Sequence, residues 1–179
     1  RHYQHKEIGY NYRMSNIVAG IGRGQLKVLK DRVEKKQYIY SYYKQALQDI
    51  EAVSFMPIPE GTSSNCWLTC IQVDEKRTDI TPEQIMDALA DDNVESRPLW
   101  KPMHLQPVFR DKAFITDCEE PLCITDKERW ADDSVAGTLF RRGVCLPSDT
   151  KMTDGDLDRV CRLIKNLFQQ GGCAHGQDR

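Results

Sequence analysis

From Met14 to Ile50 the chain contains no proline, and apolar residues fall at Met14, Ile17, Ile21, Leu26, Leu29, Val33, Tyr40, Tyr43, Leu47 and Ile50. These steps lie near the 3.6-residue helical period, with Lys27, Lys30, Asp31, Glu34 and Lys35 mostly between them. The pattern predicts one long amphipathic helix, bent near Gly20, Gly22 and Gly24. Gly-Ile-Gly-Arg-Gly has the wrong spacing for a phosphate loop and no preceding strand, so the small residues are expected to admit a closely packed helix or a bend. Each glycine costs about 1 kcal/mol of helix stability relative to alanine, which such packing would offset.

Beyond the Pro57–Gly61 loop the period shortens. Asn65–Val73 is apolar on both alternating faces and predicts a buried strand, with Cys66 and Cys70 on one face as core thiols. Thr81-Pro82-Glu83-Gln84 predicts a capped helix start, with Gln84 reaching back, and an end near Asp91. Val94–Arg97 reads as a short strand stopped by Pro98. Ser134–Arg142 reads as a helix ended by Gly143, followed by a short apolar strand at Val144–Pro147. Thr153 then caps a final helix whose Leu157, Val160, Ile164 and Leu167 share one face, stopped at Gly171. Helices with one apolar face alternating with sheet segments give an α/β domain.

Composition narrows the function classes. A chain of 179 residues holds one ordinary domain, and a net charge of −2 gives no electrostatic case for nucleic acid or a membrane surface. The basic cluster from Arg23 to Lys36 is interrupted by acids and reads as a solvated helix face. No apolar run approaches transmembrane length. Seven cysteines with no secretion signal fit reduced thiols in a cytoplasmic protein. His2 and His5, and Cys118 with Cys123, lack further ligands at metal spacing, so no metal site is expected. The chain starts at Arg1 rather than Met, which implies a longer product.

The candidate chemistry lies in two stretches. Glu7-Ile8-Gly9-Tyr10-Asn11-Tyr12-Arg13-Met14-Ser15-Asn16 places an amide and a guanidinium at the entrance of the long helix, where unpaired N–H groups and the helix dipole favour anions. Arg13 can grip a phosphate with two parallel bonds. The plain structural alternative makes Asn11 and Ser15 helix caps and pairs Arg13 with a surface carboxylate. After the Val94 strand, Trp100-Lys101-Pro102-Met103-His104 projects an aromatic, a cation and an imidazole from a strand end.

The wording of these stretches resembles the DegT/DnrJ/EryC1/StrS family of pyridoxal-phosphate-dependent sugar-nucleotide aminotransferases. Gly9–Ile17 carries the resemblance, and three further stretches follow in register: Arg97–Gln106, Gly143–Ser148 and the helix from Thr153. It implies the small C-terminal domain of a fold-type I aminotransferase, preceded by a long interdomain helix. Residues 1–33 would then be the edge of a missing large domain, 34–170 the small domain and 171–179 a disordered tail. The missing part would hold most of the pyridoxal 5'-phosphate contacts and the Schiff-base lysine, so no catalytic residue is assigned and this chain alone is expected to be inactive.

The resemblance further implies that Asn11 reaches a neighbouring subunit's cofactor phosphate, and that Arg13 faces the substrate's diphosphate. The loop with Trp100, Lys101 and His104 would line the sugar-nucleotide site. The implied partners are a homodimer mate, glutamate and a nucleotide-linked keto sugar, with the loop closest to enzymes that aminate 4-keto-6-deoxy sugars for surface glycans. Two other readings stand beside it: a stand-alone dimerisation or regulatory module, and an unrelated nucleotide-binding domain that needs four coincidental motifs.

Overall fold

A computed structural model of the chain describes residues 3–109, 111–114 and 134–172. The predicted long helix is two helices, α1 (Asn16–Leu26) and α2 (Leu29–Ala46). Ser15 caps α1 by accepting from the Val18 N–H at 3.3 Å. The Lys27 and Val28 amides turn back to the carbonyls of Gly24 and Gln25 at 3.3 and 3.1 Å, tightening and ending the helix just past the glycines. The expected close helix partner is not among the described residues: a Cβ at Gly20, Gly22 or Gly24 would meet nothing within 4 Å. α1 buries no residue, whereas α2 buries Ile39 and Tyr43.

Among the described residues four strands form one sheet: β1 (Val53–Phe55), β2 (Thr69–Val73), β3 (Arg97–Pro98) and β4 (Gly143–Leu146), in the order β1-β2-β4-β3. All three pairings are antiparallel. The remaining α-helices among the described residues are α3 (Pro82–Asp91), α4 (Val135–Arg142) and α5 (Asp154–Gly172). Ile71, Val73, Val144 and Leu146 pack with Ile39 and Tyr43 of α2, Ile85 and Leu89 of α3, and Leu157, Val160 and Ile164 of α5. The mixed helix and sheet architecture expected from the sequence is present, built as an antiparallel sheet with helices packed on its core face.

Two strands begin later than their hydrophobicity predicts. Cys66 takes a left-handed φ of 47°, and Asn65 Oδ1 accepts from the Trp67 N–H at 3.1 Å. That turn delays β2 to Thr69, so Cys66 does not share a strand face with Cys70. Val94 is claimed by the end of α3, donating to the Leu89 carbonyl at 2.9 Å, and pairing starts only at Arg97. Pro98 continues β3 because this is an edge strand, where a missing donor is tolerated.

Helix starts follow the expected chemistry. Thr81 and Gln84 exchange bonds of 3.2 and 2.8 Å at α3. Thr153 and Asp156 do the same at α5, at 2.8 and 3.3 Å. α5 continues through Gly171 to Gly172 rather than stopping at Gly171. Residues 173–179, His2, Cys118 and Cys123 lie outside the described residues.

Hydroxyls and cations of α2 fasten it to α5 and to the segment joining β4 and α5. Tyr38 donates to Asp154 and Tyr42 to Asp158, both at 2.7 Å, and Tyr43 donates to the Pro147 carbonyl at 2.9 Å. The bond to Asp158 pushes the Tyr42 hydroxyl up to about 12, and burial raises Tyr43 as well. Arg32 reaches Thr150 Oγ1 at 2.8 Å, and Lys36 donates to the Ser148 carbonyl. Part of the basic cluster read as a solvated face thus serves in packing.

Candidate functional site

Residues 3–15 form an arm with neither helix nor strand. Its start is stitched to the loop after β3 by one buried amide, Gln106. Gln106 Oε1 accepts from the His5 N–H at 2.8 Å, while its Nε2 donates to the carbonyls of Tyr3 at 3.1 Å and Lys101 at 3.3 Å. The Val108 N–H donates to the His5 carbonyl at 3.1 Å. The side chain therefore acts as an extra peptide unit, satisfying backbone groups the arm would otherwise leave unpaired. Gln106→Leu keeps the volume and strands these partners. It is expected to destabilise the protein by about 2–3 kcal/mol and to raise amide exchange at His5 and Val108, while α3 and α5 amides keep their protection relative to global unfolding.

Past His5 the arm runs into solvent. Tyr10 is 87% exposed and Tyr12 92% exposed, and Asn11 and Arg13 between and after them are exposed too. Asn11 Oδ1 accepts from the Arg13 N–H at 3.0 Å, a local turn that sets Arg13 at a left-handed φ of 62°. Ser15 alone caps α1, so the reading of Asn11 as a second cap does not hold. With its oxygen used internally, Asn11 has its amide N–H groups left to offer, and Arg13 offers only donors. This is a pair of groups suited to anionic oxygens.

The loop after β3 divides the other three candidates. Trp100 is half-exposed, its ring centroid 5.7 Å from that of Trp67 with 30° between the planes. Both indoles line a cleft of about 730 Å³ between the β3 edge and the start of α5, together with Ser96, Ser148 and Arg159. Arg159 Nε donates to Asp92 Oδ2 at 2.5 Å, and that bond holds the Asp92 carboxyl below its ordinary range. Lys101 is buried, with Nζ 3.5 Å from Gln4 Oε1. His104 is half-buried and stacks on Phe114 at 3.9 Å between centroids. Neither Asn11 nor Arg13 lines the cleft that holds Trp100.

Trp67 and Gln106 are the site residues that sequence reasoning did not single out. Trp67 belongs to an apolar run that predicts a strand, and Gln106 to a motif whose evident chemistry is in its charged and aromatic members. A glutamine among apolar neighbours two residues past a histidine was the available signal for the latter.

The sequence model of the DegT/DnrJ/EryC1/StrS aminotransferase family matches residues 1–165. EpsN of Bacillus subtilis, whose name assigns it to the pyridoxal phosphate-dependent aminotransferases, is 44% identical over 167 residues, covering 93% of this chain and 39% of EpsN. The GDP-perosamine synthase of Escherichia coli O157:H7 is 28% identical over 168 residues, covering 94% of this chain and 40% of that enzyme. Among solved structures, DesI in the presence of its TDP-sugar product superposes with a TM-score of 0.69 at 21% identity, over 92% of this chain and 39% of DesI. Helicobacter pylori PseC, an aminotransferase involved in pseudoaminic acid biosynthesis, gives 0.67 at 19% identity, over 92% of this chain and 40% of PseC. The chain spans about two-fifths of the length of the curated relatives it matches.

Proposed function

The chain belongs to the DegT/DnrJ/EryC1/StrS aminotransferase family, and from that premise we propose that it is the C-terminal part of an aminotransferase for nucleotide-linked keto sugars. The amino group comes from glutamate, the acceptor is a UDP-4-keto-6-deoxy sugar, and the product enters surface glycans. The observation that carries this reading is the family match over residues 1–165. The names of EpsN, GDP-perosamine synthase and DesI favour the same reaction class and sugar-nucleotide substrates.

Pyridoxal phosphate, when bound, supplies the electron sink that lets an amino group leave one carbon and join another. The donor chemistry of the arm fits a phosphate group: the Asn11 amide keeps its N–H groups available because its oxygen is engaged by the Arg13 N–H. In this reading Asn11 holds the cofactor phosphate of a twofold-related subunit, and Arg13 binds the substrate diphosphate. Trp100 covers the nucleotide sugar, with Lys101 and His104 in the same loop on the substrate side.

Residues 1–33 pack against a large domain and 34–170 form the small domain. The apolar surface of α1, with Ile17 79% and Ile21 60% exposed, is the face the large domain and the second subunit cover. Among the described residues no helix is long and apolar enough to cross a membrane.

The test uses the full-length protein with pyridoxal phosphate. Glutamate and a UDP-4-keto-6-deoxy sugar are expected to yield 2-oxoglutarate and the amino sugar nucleotide in equal amounts. Transfer only to a GDP- or TDP-linked sugar corrects the nucleotide; no transfer to any keto sugar nucleotide overturns the reading.

A further inference from the structure

Cys70 of β2 and Cys145 of β4 stand directly opposite one another in the sheet, 75 positions apart in sequence. The Cys70 carbonyl accepts from the Met56 N–H at 3.4 Å, on the β1 side. A strand residue points its N–H and C=O to the same edge, so towards β4 this is a non-hydrogen-bonded pair, the close kind, with Cα atoms about 4.5 Å apart. That spacing falls within the range a disulfide spans. The two sulfurs lie 3.6 Å apart, and both thiols are free.

The pair sits on the face of the sheet away from the core, since the alternate residues Ile71 and Val144 enter the core. The two cysteines border different clefts. Half-buried Cys70 lines a shallow cleft of about 240 Å³ beside Tyr40 and Met56, and Cys145 lines the larger cleft with Trp67 and Trp100. Either sulfur can donate to the other, and the Cys145 S–H also reaches the Pro98 carbonyl at 3.9 Å; their contact favours a thiolate on Cys70 and raises the Cys145 thiol. Cys161, in the core, shows the contrast: burial pushes it up to about 11. A thiolate attacks and a thiol does not, and Cys70, half-buried where Cys145 is buried, is the sulfur a small disulfide meets first.

We propose that Cys70 and Cys145 form a dithiol modification site that takes low-molecular-weight disulfides and closes to a cross-strand disulfide. The Cys70 thiolate attacks one sulfur of the disulfide, forming a mixed disulfide and releasing one thiolate. Cys145 loses its proton to solvent and attacks the Cys70 sulfur, expelling the second thiolate. The protein dithiol is oxidised by two electrons and the disulfide is reduced to two thiols. The closed form staples β2 to β4 at the wall of the Trp67/Trp100 cleft. The proposal does not depend on the aminotransfer reading.

The probe is cystamine, added to the reduced full-length protein without denaturant and followed by alkylation and peptide mapping. The expected product is a peptide linking Cys70 to Cys145, formed about tenfold faster than any other cysteine pair, with a raised Tm. The same treatment in urea should lose that preference. Cys145→Ser should stop at a mixed disulfide on Cys70, and Cys70→Ser should leave Cys145 unmodified over the same interval. A Cys66–Cys70 link, a persistent mixed disulfide in the wild type, or both thiols still alkylatable at cystamine levels that fully oxidise dithiothreitol would each overturn the proposal. Wild-type mapping alone decides it if either variant fails to fold.

Discussion

Arg13→Ala, made in the full-length enzyme, is expected to raise the Kd for the nucleotide sugar by about 10- to 100-fold and to leave pyridoxal phosphate affinity within about twofold. Hydrogen bonds to a charged group are worth about 1.5–3 kcal/mol, and each 1.4 kcal/mol is a tenfold change in affinity. The substitution isolates that interaction. Arg13 already sits at a φ of 62°, and alanine brings the same Cβ to the same backbone, so the strain is nearly unchanged. The Asn11 Oδ1 bond is to the backbone N–H of residue 13, which alanine keeps. Arg13→Lys should recover only part of the loss, because a point charge replaces the planar fork. Asn11→Ala should show the opposite split, weakening the cofactor more than the sugar nucleotide. Titration of both ligands against all three variants checks the assignment, and equal losses of both ligands in Arg13→Ala would refute it.

That assignment depends on two donors whose identity was legible in the sequence and whose surroundings were not. Local chemistry is legible where a cap and its partner lie three residues apart: Thr153 caps α5, and Thr81 with Gln84 forms the box its spacing predicts. Period alone misled in the first helices, because apolar spacing reports a stripe and not what covers it. The stripes of α1 and α2 look alike in sequence, yet only α2 buries its residues. The shift in β2 follows from a left-handed Cys66, a conformation no propensity assigns to cysteine. The pairing of Trp67 with Trp100 and the docking of Tyr3 and His5 on Gln106 are long-range contacts, which pattern along the chain does not encode.

Gly143 ends α4 as its place in the sequence suggests, but one such contact, not its backbone, is the reason it is glycine. The sequence presents it as a helix terminator, the usual work of a glycine with positive φ. Its φ of −101° and ψ of 143° are extended values any residue adopts, so its backbone does not require glycine. The requirement is steric: a Cβ there would lie 2.0 Å from Leu99 Cδ1, 2.4 Å from Leu99 Cγ and 2.6 Å from the Leu139 carbonyl oxygen. Leu99 can turn aside, but the Leu139 carbonyl belongs to α4 and moves only if the helix moves. Gly143→Ala is therefore expected to cost about 3 kcal/mol, seen as a lower urea midpoint with little change in slope. Adding Leu99→Ala should return part of that loss, since it removes one obstacle and leaves the other, and the double-mutant cycle measures the coupling. Leu99 adjoins Trp100, so the single variant should also shift tryptophan emission from the cleft. A Gly143→Ala protein within about 0.5 kcal/mol of wild type would mean that the loop after β3 does not rest on β4. The placement of Trp100 at the cleft would fail with it.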